Sequence, residues 1–174
     1  MNKLRPIYLS GAVTRFHTMR TLHQQTVAEH AWGVAAVLLW LHAPRLPSAA
    51  LLRAALLHDL PEVVTGDVPA PAKWDNAALS AALDMAEQAF HEVHGTANVM
   101  SELTPEEHDL LKFADMAELV LYTLAEATLG NRPALAVARR GIAHLGRTGR
   151  TFLSLRTTEL IVSLEEQVND LERR

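Results

Sequence analysis

Between Thr104 and Gly130 the chain carries one long helical signal. Thr104-Pro105-Glu106-Glu107 is a capping box with proline at the first helical position. The threonine hydroxyl serves an open amide, the glutamate reaches back to the threonine amide, and proline forfeits no hydrogen bond there. Leu110, Leu111, Ala114, Ala117, Leu121 and Leu124 follow a period of about 3.6 residues until Gly130 ends the run. One residue breaks this apolar face. Asp115 sits between Ala114 and Met116, where an unpaired carboxylate would cost several kcal/mol. A buried aspartate there calls for a cation.

The other segments read the same way. Thr26 with Glu29 forms a second capping box, opening an apolar run to about Ala43. Pro47 and Ser48 open a helix that reaches His58, and Asp75 or Asn76 caps "AALSAALDMAEQAFHEV", which Gly95 ends. Pro133 starts a helix to about His144, and "TFLSLRTTELIVSLEEQVNDLERR" makes an amphipathic last one. A short extra helix is expected near Pro6 to Gly11. No stretch alternates apolar and polar residues with β-branched enrichment, so no sheet is expected. The prediction is an all-α bundle of about six or seven helices, with residues 1–174 as one domain and no repeat or linker.

Composition narrows the function classes. The absence of cysteine excludes disulfides, thiolate zinc sites and cysteine nucleophiles. A formal charge of −4 with no Lys/Arg stripe argues against a nucleic-acid polymer as partner. Apolar stretches such as "VAAVLLWL" fall far short of the ~20 residues that cross a bilayer. The N-terminal stretch lacks the apolar region of a secretory signal, so the expected location is the cytoplasm, with no membrane partner. If a phage encodes the chain, that means the host cytoplasm. Nine histidines are many for this length, and histidine is both a proton carrier at neutral pH and the commonest metal ligand.

The chemistry concentrates in "LLHDLPEVVTGDVPAP", Leu56 to Pro71. Adjacent helical residues point about 100° apart, so His58 and Asp59 can share one ligand only at a helix end or kink, which Pro61 supplies. Two ligands are too few for a specific site. His30, early in the helix after Thr26, and Asp115 complete a set of two nitrogen and two oxygen donors with positions left open. An open site suits catalysis better than a structural role.

The arrangement H…HD…D resembles the HD-domain metal-dependent phosphohydrolases. "TVAEHAWGVA" and "LLHDLPEVVTGDVPAPAK" carry the likeness, which runs from Arg15 to the helix holding Asp115. The combination HD-x-x-E…TGD-x-P…K, with "RFHTMR" upstream, is most similar to the 5′-deoxynucleotidase branch, which includes compact phage enzymes that strip triphosphate from dATP. The resemblance implies an HD-domain helical bundle with His30, His58, Asp59 and Asp115 as metal ligands. It implies catalytic roles for Glu62 and Asp67, and phosphate contact for Arg15. The (p)ppGpp hydrolases share the HD core but carry HD-x-x-E-D, whereas Val63 follows Glu62 here.

Physical reading of the same residues runs alongside. Glu62 would hold or deprotonate a water near the cation, and Asp67, after Gly66, would protonate the leaving 5′-oxygen or orient that water. Lys73 and Lys112, with Arg15 and Arg20 as forked donors, would neutralise phosphate. Phe16, Trp32 and Trp74 are the aromatic candidates for stacking a base. The chain has Arg15-Phe16-His17 where the family shows Arg-Trp-Pro, so base preference does not carry over. "HEVH", His91 to His94, lacks the H-E-x-x-H spacing of a zinc helix and reads as surface.

The expected activity is hydrolysis of a deoxynucleotide at its 5′-phosphoester by one divalent transition metal ion, Co, Mn, Zn, Fe or Ni. The favoured substrate is dATP, yielding deoxyadenosine and triphosphate, with dADP and dAMP as lesser substrates. The alternatives are a 5′-deoxynucleotidase restricted to monophosphates and a nucleotide-binding module without turnover. The amphipathic C-terminal helix and the apolar composition lead us to expect a homo-oligomer.

Overall fold

A computed structural model describes residues 4–69, 72–73, 75–94, 99–148 and 155–173. They form α1 (Leu4–Ser10), α2 (Val27–His42), α3 (Ala49–Leu57), α4 (Glu62–Thr65), α5 (Ala77–His94), α6 (Pro105–Thr128), α7 (Ala134–Thr148) and α8 (Leu155–Arg173). A 3₁₀ turn, Val99–Glu102, precedes α6. Among the described residues there is no strand, and extended pairing is limited to an isolated antiparallel bridge between Thr14 and Thr26. No described helix is long and apolar enough to cross a membrane.

The helix ends follow from local chemistry. Thr26 Oγ1 accepts from the Glu29 amide at 3.3 Å, while Glu29 Oε2 accepts from the Thr26 amide at 2.7 Å. Thr104 and Glu107 repeat this box at the start of α6. Ser48 caps α3 through the Leu51 amide, and Asn76, rather than Asp75, caps α5 through the Leu79 amide. Such caps are worth about 1 kcal/mol each.

α6 is the axis of the bundle, flanked by α2, α3, α7 and α8. It buries residues on several sides, among them Leu111, Phe113, Ala117, Val120 and Leu124. The small Ala114 and Ala117, both 0% exposed, let neighbouring helices come close. α5 lies at the periphery, with Phe90 its one buried residue. Two features of this packing build the site. α2 and α6 lie side by side with His30 and Asp115 on facing surfaces, and the chain leaves α3 at His58, turns through Asp59, Leu60 and Pro61, and re-enters helix at Glu62.

Candidate metal centre and its cavity

His30 stands in the first turns of α2 and is fully buried. Its Nε2 lies 3.1 Å from Asp115 Oδ1 and 3.6 Å from Asp59 Oδ2. His58, the residue that ends α3, brings its Nε2 to 3.4 Å from Asp59 Oδ1. Ligand atoms of His30, His58 and Asp115 fall within 4.8 Å of one another. The four residues come from α2, the α3–α4 turn and α6, and only the bundle brings them together.

Both imidazoles are oriented from behind. His58 Nδ1 is 3.1 Å from the Ala55 carbonyl, which can only accept, so the proton is on Nδ1. His30 Nδ1 meets a Glu118 oxygen in the same sense. Each ring therefore turns its Nε2 inward toward the carboxylates, and both Nε2 atoms are buried there without a hydrogen bond of good geometry. Zinc ligands at about 2.0–2.2 Å from the ion sit about 3.3–3.6 Å apart in a tetrahedron. The contacts of His30 with Asp115 and Asp59, at 3.1 and 3.6 Å, lie close to that. The set of His30, His58 and Asp115 is bounded at 4.8 Å, and Asp59 stands beside it. The donor set fits a divalent cation of the transition series.

Electrostatics point the same way. Burial alone would lower the His30 pKa, but Asp115 and Glu118 outweigh it and push the imidazole up to about 9. Burial would raise the Asp115 pKa, yet His30, His58 and Arg15 hold it well below the ordinary carboxylate range. Without a cation the carboxylates thus hold a proton on His30, and a cation bound at Nε2 would take that proton's place.

Around this core lies a cavity of about 280 Å³. Arg15, Asp59, Glu62, Asp67, Lys73 and Asp115 make its polar wall; Phe16, Met19, Met116, Leu119 and Val137 make an apolar one. Glu62 opens α4 and is buried, with Oε2 unpartnered. Burial, then Asp59 and Asp67, push its pKa up to about 8 against the opposing pull of Arg15 and Lys73. A carboxyl group poised there exchanges protons near neutrality.

Arg15 is buried and donates from a terminal nitrogen to Asp59 Oδ2 at 2.7 Å, while its Nε has no partner. Burial would lower its pKa, but Asp59, Asp115, Asp67 and Glu62 together raise it. Gly66 takes φ +70°, a left-handed turn costly for other residues, and delivers Asp67 into the cavity. There Asp67 Oδ2 accepts the Phe16 amide at 3.1 Å and ties the two loops together. Phe16 itself has φ 56°, strained for a residue with a side chain, and its ring stacks on Tyr122 at 4.7 Å.

The remaining sequence candidates lie elsewhere. Trp32 is 71% exposed and borders a surface groove with Gly33, Ala36 and Trp40. Two residues of helix rotate it about 200° from His30, away from the cavity. Lys112 is exposed one turn before Asp115, outside the cavity wall. Arg20 is exposed too, its carbonyl accepting from Asn131. Trp74 lies outside the described residues. His94 packs on Phe90 at 4.4 Å between ring centres, in α5. Glu118, Tyr122, Leu119 and Val137 join the site from positions that sequence reasoning does not single out. Of these, only Glu118 had a usable signal: a carboxylate one turn beyond Asp115 on the same helix.

The chain is similar to known proteins. The chain is 35% identical over 115 residues to the dATP triphosphohydrolase of Cyanophage S-2L, a match spanning 63% of this chain and 63% of that enzyme. It is 28% identical over 138 residues to the 5′-deoxynucleotidase YfbR of Salmonella typhi, covering 68% of this chain and 69% of the relative. Its fold superposes on the Cyanophage S-2L HD phosphohydrolase, solved with dA and one catalytic Zn²⁺ ion, with a TM-score of 0.67 at 22% identity over 98% of each chain. Residues 10–147, which take in the whole stretch from Arg15 to Asp115, match the YfbR-like 5′-deoxynucleotidase family, and the chain belongs to that family of HD-domain phosphohydrolases.

Proposed function

We propose that this protein hydrolyses deoxynucleotides at the 5′-phosphoester, with dATP as favoured substrate and deoxyadenosine and triphosphate as products. One observation carries the reading: two buried, unpartnered Nε2 atoms converge with Asp59 and Asp115 at the edge of a cavity that holds Glu62. The 35% identity to the cyanophage enzyme supports dATP. The family match and the Salmonella relative support the second reading, a nucleotidase confined to monophosphates.

His30, His58, Asp59 and Asp115 would hold one divalent ion. When bound, it would polarise the phosphoryl oxygens and lower the pKa of a nearby water. Zinc is the first ion to supply, since the cyanophage structure carries it; Co, Mn, Fe and Ni suit the same donors. The other roles belong to the chain. Glu62 takes a proton from the water that attacks the α-phosphorus. The bond from phosphorus to the 5′-oxygen breaks, and Asp67, in the loop that follows α4, guides that proton on to the departing oxygen. The Arg15 guanidinium, with its open Nε, and Lys73 offset the growing phosphate charge. Phe16, Met19 and Leu119 receive the base and sugar. Lys112, exposed one turn before Asp115 and outside the cavity wall, is the candidate for the outer phosphates of a triphosphate, which would extend beyond the cavity. Self-association belongs to the same proposal, supported by the exposed Trp32 and Trp40 of α2, and sedimentation velocity tests it.

The deciding experiment strips the protein of metal, restores Zn²⁺, Co²⁺ or Mn²⁺, and separates the products of dATP and dAMP by chromatography, with His58→Ala as blank. Deoxyadenosine and intact triphosphate from dATP establish the favoured reading. Turnover of dAMP alone replaces it with the monophosphatase. Binding without turnover of any nucleotide leaves a nucleotide-binding module.

A further inference from the structure

Glu118 takes no part in the chemistry described above, yet it is buried between α2 and α6. Its side chain crosses directly over Gly33. A Cβ at that position would stand 2.6 Å from Glu118 Cγ and 3.0 Å from Oε1, so α2 makes room for this carboxylate by having no side chain there. The two oxygens serve different partners. Oε1 accepts from Gln25 Nε2 at 2.7 Å, and Oε2 meets Nδ1 of the fully buried His30. The other end of the Gln25 amide, Oε1, is buried without a partner, so that amide is turned to serve Glu118.

We infer that Glu118, seated by Gly33 and Gln25, is the positioning residue of the metal centre: it keeps the proton on Nδ1 of His30 and fixes the ring plane, so that Nε2 is the nitrogen that faces Asp59 and Asp115. The inference rests on the metal-dependent reading above. His58 reaches the same state by a cheaper route, through the carbonyl of its own helix. His30 has no such carbonyl partner, and its orientation depends on a carboxylate 88 residues along the chain. Carboxylates behind metal-binding histidines are typically worth about 10- to 100-fold in metal affinity.

The test reads metal binding and tautomer rather than turnover. Zinc is titrated against a competing chelator on metal-stripped wild type, E118Q and E118A, and long-range ¹H–¹⁵N spectra are recorded on the zinc-loaded wild type. The spectra should show His30 bound through Nε2, with a slowly exchanging Nδ1 proton. E118A should bind zinc about 10- to 100-fold more weakly. E118Q should stay close to wild type, because the unpartnered Gln25 Oε1 can turn to the new amide and leave an oxygen facing His30. Wild-type zinc affinity in E118A, or coordination of His30 through Nδ1, would overturn the inference. The spectra need no variant, so a folding failure of E118A leaves that second outcome decisive. Neither readout involves hydrolysis. An inactive wild type would sink the functional proposal alone, and unchanged zinc affinity would sink this inference alone.

Discussion

Glu126 offers the sharpest test of how the site is held in shape. It lies near the end of α6, 1% exposed, with three donors on its carboxylate. The Leu22 amide donates to Oε2 at 2.6 Å, the His23 amide to Oε1 at 2.7 Å, and Asn131 Nδ2 to Oε2 at 2.8 Å. Tyr122 adds a bond from its hydroxyl to the His23 carbonyl at 2.5 Å. Together these fasten the loop that carries Arg15 and Phe16. Glu126→Ala strips the partner from two backbone amides. One of the lost bonds is offset by water at the exposed loop, so the cost is that of an unmade charged hydrogen bond, about 3 kcal/mol. For a chain of this size that lowers the melting temperature by roughly 6–12 °C.

The pH dependence follows with a definite sign. Burial would raise the Glu126 pKa, but Asn131, Leu22 and His23 outweigh it and hold it below the ordinary value of 4.5. A depressed carboxylate contributes stability above its unfolded pKa and loses it as pH falls through the folded one. The gap between wild type and Glu126→Ala should therefore be full at neutral pH and close in acid below 4.5. Thermal unfolding followed by circular dichroism across that range measures it. A loss under about 0.5 kcal/mol at neutral pH, the level of an ordinary surface change, would refute the reasoning.

Further outcomes concern the cavity. Asp67→Asn keeps an oxygen for the Phe16 amide, so melting should hold within a few degrees while kcat falls about 10²- to 10⁴-fold; parallel melting and kinetics check both, and full activity would remove the proton-guiding role. Glu62 has its folded pKa raised to about 8, so the protein loses stability as pH rises from the unfolded value of 4.5. Glu62→Gln should accordingly melt higher than wild type at pH 8 without metal and match it at pH 4, and a lower melting point at pH 8 would contradict the burial argument. Lys112→Ala should raise KM for dATP severalfold and leave KM for dAMP unchanged; equal effects on both would separate Lys112 from the outer phosphates.

Some of this was legible in residue order and some was not. The capping boxes at Thr26 and Thr104 could be read directly because donor and acceptor lie within three residues, and a helix end is a local event. His58 with Asp59 at a helix end, and Asp115 on an apolar face, stood out because their chemistry conflicts with their surroundings. Trp32 shows the limit of nearness in sequence. It is two residues from His30, yet helical rotation carries it to the opposite side, where it is 71% exposed. Tyr122 beneath Phe16 could not be read at all, because the pair is joined by the return of a loop onto α6.

Sequence alone indicated most of the helices and the capping boxes that open two of them, since a helix end rests on interactions a few residues long. It also singled out four groups that would bind a cation. The short α4 and the run of α7 on to Thr148 it did not show. Only the tertiary structure decided how those groups face one another. The packing of α2 on α6 set the 3.1 Å approach of His30 to Asp115, the seating of Glu118 over Gly33, and the apolar wall that Val137 brings from α7. Helix crossing angle and register come from the fit of the whole close-packed core, and no local stretch contains them.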